Sequence, residues 1–191
     1  MCIRDRRSGH HHELRQHQSA QRSASKARRG GLTLYTSIWA ARACLSDLTP
    51  LLTDCGCLCG GACCKGDEQT GMLLFPGEEA LFEGCTFGRV IPANFTLADR
   101  SVHLFVCDGF CTREQRPLAC RLFPLFLHFK KDGTPRVRLD TRAKSVCPLC
   151  SYGLVGLRAE FVSAAKDAYA ALMKDDECAA FLRALDDALR L

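Results

Sequence analysis

The chain has 191 residues, 47% hydrophobic and 25% charged, the balance of a water-soluble globular domain, and no apolar run reaches the roughly 20 residues of a membrane-spanning helix. The formal charge of +5 is concentrated at one end. Residues 1–30 hold eight Lys/Arg against Asp5 and Glu13, so the other 161 residues hold eighteen basic and nineteen acidic groups, too balanced for a nucleic-acid-binding surface.

In chain order, residues 1–31 have Ile3 and Leu14 as their only large aliphatics, no aromatic and four of the six histidines. Such a segment cannot bury enough apolar surface to offset chain entropy, so it is read as a disordered tail. Its opening Met1–Arg7 resembles translated adapter sequence, which makes the tail non-native and removes it from the fold. Next, Lys26–Arg29, the apolar stretch 32–41 and Ala41-Arg42-Ala43 imitate a secretory leader. The stretch is short and interrupted by Thr33, Thr36 and Ser37, and Arg42 lies inside the imagined cleavage site; a cytoplasmic protein is expected.

Met72–Phe75 reads as a short strand. Pro76-Gly77-Glu78-Glu79 then starts a helix reaching about Glu83, with Glu78 and Glu79 as its solvated acidic first turn. Val102–Cys107 is strand-like. Leu122–Phe129 and Arg136–Leu139 form a hairpin across Lys130–Gly133. Leu157, Phe161, Ala165, Ala168 and Leu172 recur at helical spacing, as do Ala179, Leu182, Leu185 and Leu189, giving two C-terminal amphipathic helices over 151–191 packed on the domain formed by 32–150. The fold class is α+β, a small antiparallel sheet with cysteine-rich loops around a metal centre.

The chain carries fourteen cysteines, eleven of them between Cys55 and Cys150. Such clustering means a disulfide framework or a metal site, and redox compartment decides between them. Without a credible leader the metal reading is favoured; a secreted disulfide protein is the alternative. The blocks are Cys55-Gly56-Cys57-Leu58-Cys59-Gly60-Gly61-Ala62-Cys63-Cys64, Cys107-Asp108-Gly109-Phe110-Cys111, Cys120 within Arg116–Pro124, and Cys147-Pro148-Leu149-Cys150. Glycines 56, 60 and 61 let the first block bend tightly around an ion. Cys63 and Cys64 rarely bridge each other; they can serve two metals on opposite sides. Ferredoxin and radical-SAM spacings are absent, as are Rossmann and phosphate-loop signatures.

The segments CGCLCGGACCKG and CDGFCTREQRPLACRLFP resemble the YkgJ-like cysteine-cluster proteins, the CxxCxxCC family described as zinc- or iron-chelating. That resemblance spans about residues 45–150 and implies zinc or an iron–sulfur cluster, not a defined reaction. Taking Cys55 and Cys59 as the matches, with Cys57 extra, the ligand set is Cys55, Cys59, Cys63, Cys64, Cys107, Cys111, Cys120 and Cys147. Eight thiolates suffice for two four-cysteine zincs, for two four-cysteine clusters, or for one cluster with thiols to spare. Cys57 and Cys150 stand as alternates, and Cys85 reads as a small buried apolar residue.

Arg116 and Arg121, flanking Cys120, are candidates to hydrogen-bond a cluster or an anion, or else to pair with Glu114 or Asp108. His103 and His128 fall in strand patterns where structural roles are commoner than ligation. The expected function is a metal-binding protein with no nucleic-acid or membrane partner. The same cysteine block occurs in flagellin lysine methylases, which motivates the alternative, an iron–sulfur-dependent redox or protein-modifying enzyme or accessory factor. Substituting Cys120 is expected to deplete metal, and substituting Cys178, on the last helix, to do almost nothing.

Overall fold

A helix, α1, occupies residues 36–44, and Ile38, Ala41 and Leu45 along one of its sides are fully buried. Residues 36–41 of the stretch that imitates a leader therefore lie in a helix whose inner side joins the core. The structure, a computed structural model, describes residues 36–67 and 70–190; the expected tail lies outside them, as does the side chain of Cys57.

A short helix α2 (Gly56–Cys59) and a 3₁₀ turn (Ala62–Cys64) hold the first cysteine block. Strand β1 (Met72–Leu73), a 3₁₀ turn (Glu78–Phe82) and the long hairpin β2 (Gly88–Leu97) and β3 (Arg100–Cys107) follow. The sheet is antiparallel in the order β1-β3-β2, with Val90 opposite Phe105 and Gly88 opposite Cys107. Strand β2 had no counterpart among the expected elements, because Pro92 interrupts its pattern. It survives as an edge strand, where a missing N–H is tolerated, and its register shifts between Pro92 and Thr96. Its turn, Ala98-Asp99, has φ of +51° and +58°, the geometry of a tight two-residue hairpin without the customary Asn-Gly.

The second expected hairpin forms as β4 (Leu125–Phe129) and β5 (Pro135–Leu139). It starts later than the expected Leu122, which instead ends a short helix, α3 (Leu118–Leu122). Pro117 sets the backbone at its start, and the Leu118 N–H is capped by a buried carboxylate of Glu78 at 2.7 Å. Asp140 caps a 3₁₀ turn (Thr141–Ser145) that leads to Cys147.

The two C-terminal helices are α4 (Ala159–Leu172) and α5 (Asp176–Ala188). Helix α4 packs on β4 and β5, and α5 on β4 and β2, so one core unites both helices with the strands. Phe161, Ala165, Ala168 and Leu172 are fully buried, as the periodicity requires. The Tyr169 hydroxyl donates to the Leu125 carbonyl at 3.1 Å. Asp175 caps α5 by accepting from the amides of Glu177 and Cys178. Cys178, expected to be inconsequential, is fully buried on the inner face of α5, beside Phe181, Leu182 and Leu185. No helix among the described residues is long and apolar enough to cross a membrane.

Candidate metal centre

The first block begins at Asp54, whose Oδ1 accepts the Gly56 N–H at 3.0 Å and starts α2. Cys55 and Cys59 stand one helical turn apart, and the Cys59 thiol reaches the Cys55 carbonyl at 3.9 Å. Gly60 and Gly61 then take φ of +59° and +66°, a left-handed pair that reverses the chain and brings Cys63 back toward Cys55.

The second block is delivered by the end of β3. Cys107 closes that strand opposite Gly88, and the Gly109 amide, at a φ of +94°, donates to the Cys107 sulfur. Cys111 follows within hydrogen-bond reach of Cys107. Cys120 sits in the middle of α3, and the Cys147 N–H donates to the Ala143 carbonyl at 2.8 Å.

The sulfurs interact. Cys64 accepts hydrogen bonds from Cys63 and Cys107, which favour its thiolate over burial, while Cys63, the donor to Cys64, is pushed up. Burial raises Cys107 to about 11 and Cys120 well above the usual thiol range, with the neighbouring thiols adding to both. Burial also raises Cys55, and Asp54, Cys147 and Cys59 reinforce it. Eight thiols from three separate stretches are thus linked through neighbouring pairs. The twelve cysteines with described side chains are all free. Among the described residues, no three His, Cys, Asp or Glu side chains are already assembled around a common point for a metal ion.

Two voids adjoin these thiols. A large cavity of about 750 Å³ is lined by Cys55, Cys63, Cys64, Cys107, Cys111 and Cys120 at one end and by Phe75, Tyr169, Phe181 and Leu185 deep in the core. A second void of about 10 Å³ is lined by Cys55, Cys59, Cys63 and Cys147 with Phe123, Pro124, Val146, Pro148 and Leu149. Cys150 lines neither. Cys85 is half-buried and donates to the Gly88 carbonyl at 3.2 Å, away from both.

The two flanking arginines differ. Arg116 pairs with Asp54 at 3.0 Å, rather than with Glu114 or Asp108, and hydrogen-bonds the Cys111 sulfur; burial opposes its charge, but these partners hold its pKa raised. Its Nε is buried with no hydrogen-bond partner, a donor that a sulfur ligand or an anion would satisfy. Arg121, expected beside a cofactor, is 6% exposed and donates to the carbonyls of Arg116, Glu114 and Arg42. Its guanidinium is spent on backbone. Burial is the main reason its pKa falls, to about 10.

Arg121 belongs to a buried polar bracket that sequence reasoning missed. Glu78, read as a solvated residue of a helix start, is 0% exposed. It accepts the Leu118 amide at 2.7 Å, the Phe75 amide at 3.2 Å and Arg42 Nη1 at 3.3 Å. Arg42 in turn donates to the carbonyls of Arg116 and Glu114 at 2.9 and 2.7 Å. Two distant segments, through Arg42 and Glu78, therefore join Arg121 in fastening the loop between Cys111 and Cys120. No local pattern distinguishes Glu78 from Glu79, so the sequence held no signal for it.

His128 Nδ1 donates to the Asp186 carboxylate at 2.8 Å, and His103 lies 4.0 Å from Glu79; neither lines the voids beside the thiols. Comparison with protein families, with curated proteins and with solved structures finds no match for this chain.

Proposed function

We propose that the chain is a cysteine-ligated metal protein of YkgJ-like type, holding zinc or an iron–sulfur centre through Cys55, Cys59, Cys63, Cys64, Cys107, Cys111, Cys120 and Cys147, in a reducing cytoplasm. The observation that carries this reading is convergence: residues 55–64, 107–120 and 147 are remote in sequence, yet their thiols surround two adjoining voids. The donor set is all soft sulfur, with no sulfur consumed in a disulfide, which suits zinc or iron–sulfur ligation. Arg116 supports it with a buried, unpartnered donor beside Cys111. A bound metal would supply folding free energy to loops that carry little core of their own.

The test is Cys120→Ser against Cys178→Ser, with metal content measured for each. A hydroxyl is a poor soft-metal ligand, so Cys120→Ser loses metal while Cys178→Ser retains it. Equal metal content in both would overturn the reading.

A second reading, an iron–sulfur-dependent redox or protein-modifying enzyme or accessory factor, draws on the cavity of about 750 Å³ beside the thiols, which has the size and apolar depth of a small-molecule site. Redox titration tests it: the absence of any reversible one-electron couple removes the redox form of this second reading.

A further inference from the structure

We propose that the eight thiols form two unequal sites. Cys55, Cys59, Cys63 and Cys147 make a closed zinc site, and Cys64, Cys107, Cys111 and Cys120 make a second site on the wall of the large cavity. This rests on the metal-binding reading and adds the division of ligands and the difference in access.

The small void supports the first site. Its volume of about 10 Å³ is roughly that of a single probe sphere, room for one ion and no bound water beside it. Cys59 and Cys147 face this void and not the large cavity. Apart from the four thiols, its walls are Phe123, Pro124, Val146, Pro148 and Leu149, with no carboxylate or imidazole. Four sulfurs in an apolar lining are the donor set of a tetrahedral zinc site that needs no further ligand.

The second set faces the other way. Cys64, Cys107, Cys111 and Cys120 line the large cavity and are absent from the small void. Cys64 is linked by hydrogen bonds to Cys107, and Cys107 to Cys111. The neighbours Cys63 and Cys64 share a 3₁₀ turn and a thiol–thiol hydrogen bond, so the pair stands where the two sites meet: Cys63 lines both voids and Cys64 the large cavity alone. One chain position can therefore serve each site. A metal at the second site borders a cavity of about 750 Å³ and is reachable by a chelator, whereas the first is set among Phe123, Pro124, Pro148 and Leu149 in a void with little room beside the ion.

The experiment uses the full chain, stripped of metal, reduced, and reloaded anaerobically with Zn²⁺ alone. Wild type should bind two equivalents and release them to a chromogenic chelator in two phases of equal amplitude. Alkylation after the fast phase, mapped by mass spectrometry, should label Cys107, Cys111 and Cys120 while Cys59 and Cys147 stay protected. Cys59→Ser with Cys147→Ser should keep only the fast equivalent, and Cys107→Ser with Cys111→Ser only the slow one. Single-phase release of both equivalents, or labelling of all five positions together, would overturn the division; the mapping needs no variant to fold. Loss of the same equivalent, fast or slow, with both pairs would also refute the division but leave metal binding standing. Wild type that takes up no Zn²⁺ would refute the metal reading itself.

Discussion

Replacing Glu78 with alanine is the perturbation whose size follows most directly from the structure. The side chain is fully buried, so its removal admits no water to the groups it satisfied. The amides of Leu118 and Phe75, now at 2.7 and 3.2 Å from its oxygens, would be left without acceptors, each worth about 1–3 kcal/mol. Arg42, 7% exposed, would lose its buried carboxylate while keeping two carbonyl partners. Breaking a buried ion pair from one side costs about 3–5 kcal/mol, and we expect the variant to fall in that range. That is a large share of the roughly 5–15 kcal/mol available to a domain. Burial raises the Glu78 carboxyl, against the pull of the two amides and Arg42. Glu78→Gln keeps an acceptor for Leu118 and should lose less than Glu78→Ala. Glu79→Ala, a side chain 36% exposed, should stay within about 0.5 kcal/mol of wild type. Urea unfolding of the three variants at matched metal loading measures this. Because Leu118 opens the helix that carries Cys120, Glu78→Ala should also bind metal more weakly. A Glu78→Ala midpoint shift worth less than about 1 kcal/mol would refute the role of the bracket.

Three further outcomes are expected. Burial works against ionised Asp186, but the Phe129 amide at 2.9 Å, Arg190 and His128 prevail and hold its pKa below the ordinary carboxylate value. A depressed carboxylate contributes stability above the unfolded-state pKa and loses it as pH falls through the folded-state value. Asp186→Ala should therefore lose about 2–3 kcal/mol at neutral pH and progressively less in acid, seen in urea midpoints across that range; a penalty independent of pH would refute it. Cys178→Ser should keep all its metal yet melt lower than wild type, by about 1–2 kcal/mol, because it buries a hydroxyl in the core; unchanged calorimetric melting would refute this. Gly109→Ala has open space for its methyl group but forces a φ of +94° on alanine, so it should destabilise by about 1–3 kcal/mol and loosen the amide bond to Cys107. Thermal melting and Zn²⁺ affinity together check that outcome.

Strong local patterns were legible. The apolar run ending at Phe129 formed a strand, starting at Leu125, the Gly133 turn formed as read, and so did the helix whose buried face is Phe161, Ala165, Ala168 and Leu172. The left-handed pair Gly60-Gly61 was legible for the same reason: glycine is cheap only where a side chain would be strained. Strand β2 was hidden by Pro92, whose lost N–H matters only in a central strand, and strand order is a tertiary property. Helix α1 was hidden by its likeness to a leader. The bracket of Arg42, Glu78 and Arg121 was invisible because its partners lie 36 to 79 residues apart and most of its hydrogen bonds end on backbone carbonyls. The eight thiols were singled out by residue type and resemblance, but their distribution over two voids depends on how the reversed chain at Gly60 and Gly61 meets Cys147.

The central claim is that the thiols bind metal, and elemental analysis of the full chain, purified aerobically and anaerobically and combined with visible absorption and thermal unfolding, tests it most directly. The account predicts zinc or iron bound in both fold-competent preparations, with cooperative melting that weakens when a chelator removes the metal. A metal-free, colourless protein that still unfolds cooperatively, and is indifferent to chelator, would contradict it.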